Sequence, residues 1–189
     1  MATAKISREL GGSSVEAAVA CASGASAAAQ LGDFAFGTRP FANSPTARFT
    51  DCTCCVIRPH AVQSKDVGGI VRVIEQAGKY EISAMSLVKL DQPAAAEFLE
   101  VYDGVIAEHD AAVKELCSGP CLALELRGHD AVNAFRQTAG PWDVDFAKEI
   151  RPKSIRAKFG TDAVRNAVHC TDLTDDGEQE SRYFFEVLG

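Results

Sequence analysis

The chain has 189 residues, 47% of them hydrophobic and 24% charged, with a formal net charge of −7. That is ordinary for one globular domain with a tail, and the acidic balance excludes a non-specific grip on nucleic acid, which needs a basic surface. No stretch approaches the roughly 18 consecutive apolar residues of a membrane span, so no membrane partner is expected.

The first part of the chain differs from the rest. Residues 1–49 are rich in Ala, Ser and Gly, hold few large apolar residues and end near Pro40 and Pro45. Such a composition buries little surface, and we read it as a tail or linker, partly disordered or bound to a partner. Lys5, Arg8 and Glu9 lead into an alanine-rich stretch that Glu16 interrupts, which is not the pattern of a signal peptide. Ser14 to Leu31 has the composition of a weak helix, interrupted by Gly24.

The pattern becomes dense over residues 50–189. Cys54 to Ile57 is a short apolar run ended by Arg58-Pro59, consistent with a buried strand. Asp66 reads as an N-cap, Val67, Ile70, Val71 and Ile74 follow at helical spacing, and Gly78 stops the helix. Tyr80 to Leu90 reads as a strand. Pro93 opens a second helix, with Phe98, Val101, Tyr102 and Val105 on one face. A short helix near Ala111 to Leu116 leads to a Ser118-Gly119-Pro120 turn. Leu122, Leu124 and Leu126 alternate with Ala123, Glu125 and Arg127 as a strand, and a helix covers about Asp130 to Ala139. A loop then runs to about Arg156, a short helix lies near Asp162 to Arg165, and Ala167 to Cys170 is the last strand. Glu178 to Leu188 is helical.

This order predicts an α+β fold, a ferredoxin-like (split βαβ) antiparallel sheet with helices on one face. There is no G-x-x-x-x-G-K-[ST] loop and no strand-anchored G-x-G-x-x-G, so any nucleotide is held without a P-loop or a Rossmann turn. Gly68-Gly69 falls inside a helix and reads as a packing contact. The seven cysteines lie in apolar runs, where the bland reading is buried, reduced thiols. Cys52, Cys54 and Cys55 cluster without the spacing of a zinc knuckle, and strand alternation turns neighbours to opposite faces.

One segment carries chemistry, Asn166-Ala167-Val168-His169-Cys170-Thr171-Asp172. A lone histidine at a strand end is usually structural. Here Arg58, Arg136 and Arg156 lie on elements that such a sheet could gather, and Glu180 lies in the final helix. A neutral imidazole attacks phosphorus well if one nitrogen is free and the other is held by an acceptor such as Glu180. Arginines supply bidentate phosphate contacts, and Asn166 and Thr171 add neutral hydrogen bonds. Spacing alone leaves the alternative open that these arginines form a solvated face or structural ion pairs.

The string N-x-x-H-x-[ST]-D resembles the active-site signature of nucleoside diphosphate kinases. Val56 to Val62 resembles that family's first strand and its lysine-proline-aspartate turn, and Ser118-Gly119-Pro120 its serine-glycine-proline. The resemblance implies a ping-pong kinase that moves the γ-phosphate of a nucleoside triphosphate to a diphosphate. It implies His169 as phospho-acceptor and Glu180 as its orienting carboxylate. Arg58, Arg136 and Arg156 match phosphate-binding positions, Asn166 a sugar contact, Val164 an apolar wall under the base, and Thr171 the serine beside the histidine. Magnesium (Mg2+) would arrive with the bound nucleotide, held largely by the phosphates.

Several positions depart from the family. Arg58 replaces a lysine, His60 an aspartate and Leu99 a tyrosine. Trp142 stands where a small threonine touches phosphate, and Gly140 to Lys153 is longer than in the compact enzymes. Phe49 to Cys55, Phe98 to Val105, Arg151 to Ala157 and Asn166 to Gly177 resemble the second kinase domain of the family's axonemal subclass. That resemblance implies a cytoplasmic protein of the cilium or flagellum axoneme, with tubulin, the doublet microtubule and other axonemal proteins as partners and nucleoside di- and triphosphates as ligands. It leaves catalytic activity undecided.

Overall fold

The computed structural model describes residues 24–29 and 46–188. The chain divides into two units, Met1–Ser44 and Pro45–Gly189. Of the helix expected from Ser14 to Leu31, residues 25–29 are helical, directly after Gly24. The rest of that helix, and most of the expected tail, lie outside the described residues.

In the second unit the order is β1 (Cys52–Ile57), α1 (Pro59–Gln63), α2 (Val67–Ala77), β2 (Glu81–Val88), α3 (Gln92–Phe98), α4 (His109–Leu116) and β3 (Cys121–Arg127). There follow α5 (Ala131–Ala139), α6 (Val144–Ile150), α7 (Ile155–Phe159), β4 (Val168–Cys170) and α8 (Gly177–Arg182). The strands form one sheet in the order β2-β3-β1-β4, antiparallel at every pair. This is the split βαβ, ferredoxin-like arrangement expected from the sequence.

Helices cover both faces of the sheet, not one. Cys54, Val56, Ala84 and Ala123 pack with Leu99, Leu116, Phe184 and Phe185 on one side. Cys55, Ile57, Leu122, Leu124 and Leu126 pack with Ile70, Ile74, Phe135 and Ile155 on the other. Neighbouring cysteines of β1 therefore do point to opposite faces. Double coverage also explains why every residue of β1 is buried: a central strand with helices on both sides reads as a continuous apolar run. Glu125 is buried in β3 by the same logic, although alternation set it opposite the leucines. Its carboxylate accepts the N–H groups of Arg48 at 2.8 Å and Phe49 at 2.7 Å, and the Ser83 hydroxyl. Ser83 sits at a register shift in β2, one of the two edge strands, where Met85 and Leu87 are exposed.

Local signals held in part. Gly78 ends α2 in the left-handed conformation (φ 64°). Asp66 precedes α2, but its side chain caps nothing. Gly69 is the packing glycine, since a Cβ there would press on the Phe159 ring, whereas Gly68 faces open space. The helix opened by Pro93 ends at Phe98 and gives way to a tighter 3₁₀ turn, Glu100–Tyr102. The change of period keeps Tyr102 buried and turns Val101 and Val105 out to solvent, at 71% and 73% exposed. The expected long loop contains α6 and α7, capped by Asp143 on Phe146 N and Ser154 on Ala157 N. The expected helix at Asp162 to Arg165 is instead a turn, with Asp162 Oδ1 accepting the N–H groups of Val164 and Arg165.

The last helix begins against the first strand. A Cβ at Gly177 would overlap the carbonyl oxygen of Cys52, so only glycine lets α8 lie this close. Beyond Arg182 the helix continues as a π-turn through Tyr183–Val187 and buries Phe184 and Phe185.

Candidate active site

His169 lies in β4 opposite Val56 of β1. The chain enters β4 through a three-residue turn. Val168 N–H donates to the Asn166 carbonyl at 2.9 Å, and Ala167 takes φ 71°, rare for a residue with a side chain. The imidazole is 2% exposed. Phe98 meets it edge-on at 4.7 Å between ring centroids, and Tyr102 at 6.2 Å.

Its two nitrogens differ. Nε2 lies 2.8 Å from Glu180 Oε2. A carboxylate only accepts, so in the neutral ring Nε2 carries the proton and Nδ1 keeps its lone pair. Nδ1 is buried and has no hydrogen-bond partner. The same Glu180 oxygen accepts the Thr171 hydroxyl at 2.9 Å, and Thr171 Oγ1 accepts the Cys54 N–H at 3.1 Å. Thus β1, β4 and α8 are fastened together at the point where the imidazole is oriented.

The arginines are engaged with the protein. Arg156 on α7 is 5% exposed. It donates to the Val168 carbonyl through Nε (3.3 Å) and Nη2 (3.1 Å), and to the Gly140 carbonyl through Nη1 (2.9 Å). Arg58, 1% exposed, donates through Nη1 to the Val164 carbonyl at 2.8 Å. Its Nε and Nη2 have no partner, and Glu115 Oε2 stands 3.8 Å from Nη1. Burial pulls its pKa down to about 10, with Glu115 opposing. Arg136 on α5 is half-exposed and pairs with Asp172 Oδ1 at 2.6 Å. Asp172 also accepts the Tyr102 hydroxyl, and burial with that carboxylate pushes the phenol far up.

The Trp142 ring packs against both buried guanidiniums. The Arg58 Cζ lies 5.2 Å from the ring centroid and the Arg156 Cζ 5.4 Å, with the Tyr102 ring at 5.6 Å. Asn166 is fully buried. Its amide nitrogen reaches the Trp142 carbonyl at 3.4 Å, and its oxygen has no partner. A cleft of about 400 Å³ opens beside these groups, lined by Tyr102, Arg136, Trp142, Arg156 and Asp172 among others.

The fold therefore gathers the predicted positions. His169, Glu180 and Thr171 form one hydrogen-bonded unit, and Arg58, Arg156 and Asn166 surround Trp142. Arg136 reaches the cleft through its ion pair. Val164 enters through its carbonyl, which holds Arg58. Leu99 is wholly buried in the core, while Phe98 and Tyr102 face the imidazole. Sequence reasoning gave no role to Tyr102, Asp172 or Glu115. Asp172 was visible inside the histidine string; Glu115 had no signal beyond its charge. His60 donates through Nδ1 to Glu115 at 2.8 Å and accepts the Ala167 N–H at 3.2 Å, which ties α1 and α4 to the turn before His169.

Comparison with known proteins gives a consistent answer. Residues 51–188 match the family described as nucleoside diphosphate kinase. Nucleoside diphosphate kinase homolog 7 of Rattus norvegicus is 46% identical over 143 residues, which cover 76% of this chain and 36% of that protein. The Mus musculus protein of the same name matches equally. This chain thus spans about a third of the length of those relatives. The nucleoside diphosphate kinase of Aquifex aeolicus is 32% identical over 72% of this chain and 94% of its own length. A crystal structure of the Aquifex enzyme superposes with a TM-score of 0.66 at 31% identity, covering 72% of this chain and 95% of the other.

Proposed function

The chain belongs to the nucleoside diphosphate kinase family, and from that premise we propose that it is a component of the axonemal doublet microtubule, a microtubule inner protein built on a kinase domain that keeps a nucleotide site. Its partners are tubulin and other axonemal proteins, and its place is the cytoplasmic cilium or flagellum. The sequence features shared with the axonemal subclass, from Phe49-Thr50-Asp51 to Asn166-Ala167-Val168-His169, support this reading. The observation that favours a structural over a catalytic role is the commitment of the phosphate-gripping arginines to internal partners. Arg156 donates to two backbone carbonyls, Arg136 pairs with Asp172, and an indole packs against both Arg58 and Arg156.

A second reading, an active transferase, is favoured by a separate observation: His169 Nδ1 carries a free lone pair while Glu180 holds Nε2. In that reaction Nδ1 attacks the γ-phosphorus of a nucleoside triphosphate. The bond to the β–γ bridging oxygen breaks, and the diphosphate leaves with the electron pair. Glu180 stabilises the positive charge that the ring gains, and a second diphosphate takes the phosphoryl group by the reverse step. The site's carboxylates are already engaged: Glu180 with His169, Asp172 with Arg136, Glu115 with His60. Such a donor set fits Mg2+ carried on the phosphate oxygens better than an ion held by the chain. Bound there, the ion would offset phosphate charge.

Incubation with γ-labelled ATP separates the two readings. Acid-labile label on the wild type, absent from His169→Ala, is the outcome of an active transferase. An unlabelled protein that still binds ADP is the outcome of the structural reading. The axonemal assignment fails if the protein is absent from salt-washed axonemes and present as a free cytosolic pool.

A further inference from the structure

Among the described residues, seven buried side-chain nitrogen and oxygen atoms lack a hydrogen-bond partner. Five of them belong to four residues of this one site: Arg58 Nε and Nη2, Glu115 Oε2, Asn166 Oδ1 and His169 Nδ1. Buried polar groups are normally paired, because an unpaired one loses its water and gains nothing in return. Of the five, the two Arg58 nitrogens are donors and mark a place for an anionic partner that the fold itself does not supply; the other three are acceptors, which an oxyanion leaves unpaired.

The indole of Trp142 takes that partner's place. Its π-face offers partial negative charge to two guanidiniums, with Arg58 at 5.2 Å and Arg156 at 5.4 Å. A ring face accepts no directed hydrogen bond from Arg58 Nε or Nη2, so it substitutes poorly for an oxyanion. Arg156 also repels the Arg58 guanidinium, adding to the burial that makes Arg58 harder to keep charged. A polyphosphate would relieve both conditions at once, with paired oxygens for the forked donors and charge of the opposite sign.

Trp142 is placed to leave. It is partly exposed and sits on the short link between α5 and α6, two residues after Gly140, which turns the chain at φ 89°. The Asn166 amide donates a long hydrogen bond, 3.4 Å, to the Trp142 carbonyl, and Arg156 holds the link at the Gly140 carbonyl.

We propose that Trp142 is the plug of the phosphate cradle: a polyphosphate reaches Arg58 and Arg156 only as the indole withdraws into solvent. This deepens, and rests on, the reading that the domain keeps a nucleotide site. Binding then works against a closed majority state, so the observed affinity is lowered by the fraction of molecules that are open. A small residue at this position removes the competition.

The test uses the full chain and two probes, inorganic pyrophosphate and ADP, with wild type, Trp142→Thr and Trp142→Phe. Calorimetric titration should show Trp142→Thr binding both probes about ten- to thirtyfold more tightly than wild type, the scale of two lost ring–guanidinium contacts. Trp142→Phe, with a weaker ring in the same place, should fall between. Because the chain has a single tryptophan, the emission of the wild type should shift to that of a solvated indole as pyrophosphate saturates. Far-ultraviolet circular dichroism confirms that each variant is folded, and Trp142→Phe serves alone if Trp142→Thr is not. Equal affinities across the series, or an unmoved emission at saturation, overturn the plug and leave the nucleotide site standing. No binding of either probe by any folded variant removes the nucleotide site, and the plug with it.

Discussion

The two sides of the site are built differently. On the nucleophile side, His169, Glu180, Thr171 and the Cys54 amide form one chain of hydrogen bonds that also fastens β4 and α8 to β1. On the anion side, the guanidiniums are turned towards carbonyls, Asp172 and an indole, with two Arg58 nitrogens left over. The first arrangement doubles as a staple of the fold, so the fold itself holds it in place. The second can drift, because an arginine that finds an internal acceptor stabilises the protein whether or not a phosphate ever arrives.

The largest expected effect tests whether the anion side has become structural. Arg156→Ala should lose about 2–4 kcal/mol of stability, because two buried carbonyls lose their donor and a cavity opens beneath Trp142. A urea midpoint equal to that of wild type would erase the contrast between the sides. Next comes the nucleophile side. Glu180→Ala strands both the His169 N–H and the Thr171 hydroxyl and should cost about 2 kcal/mol. Glu180→Gln can still accept both and should stay within about 1 kcal/mol of wild type, which thermal melts would distinguish.

Alkaline titration should separate the sheet thiols from the anion-side Arg58 by sign. Burial raises the pKa of the sheet thiols, Cys52 and Cys121 to about 11, and Cys54 well above its usual 9.0 with Glu180 adding to the effect. Their stability contribution is complete below pH 9 and is lost as the pH rises towards 11, since the unfolded chain ionises first. Arg58 behaves oppositely. Its folded pKa of about 10 lies below the ordinary 12.5, so its burial penalty is relieved as the pH passes upward through that interval. Denaturant unfolding should therefore show a fall in stability from pH 9 upward, shallower in Cys121→Ala and steeper in Arg58→Met. The smallest effect belongs to the half-exposed pair of Arg136 with Asp172. Arg136→Ala should change stability by no more than about 1 kcal/mol, measured by the same unfolding curves.

Much of the fold was legible because its cause is local or periodic. The unbroken apolar run of β1 and the glycine that ends α2 needed no tertiary knowledge. Val101 and Val105 misled because their helical spacing presumes a helix that stops at Phe98. The helices α6 and α7 were hidden in a stretch rich in Gly, Pro and charge, although Asp143 and Ser154 were available as capping residues. In the site, His169 alone looked like an ordinary strand-end residue, and its neighbours in the string suggested more. The pairing of Tyr102 with Asp172 joins residues 70 apart, and that of His60 with Glu115 joins residues 55 apart. Neither has a spacing rule. Trp142 was visible as a departure, but its place against two arginines follows only from how α7 brings Arg156 back to β1.

Gly177 sets a tolerance for the whole nucleophile side. It touches the Cys52 carbonyl one helical turn before Glu180, so it fixes the height at which α8 rests on the sheet. Any side chain there acts as a shim. Lifting the helix by about 1 Å would stretch the 2.8 Å bond from His169 to Glu180 past hydrogen-bonding range, with the imidazole itself untouched. The alignment of the nucleophile is thus gauged by a residue that has no side chain and takes no part in the chemistry.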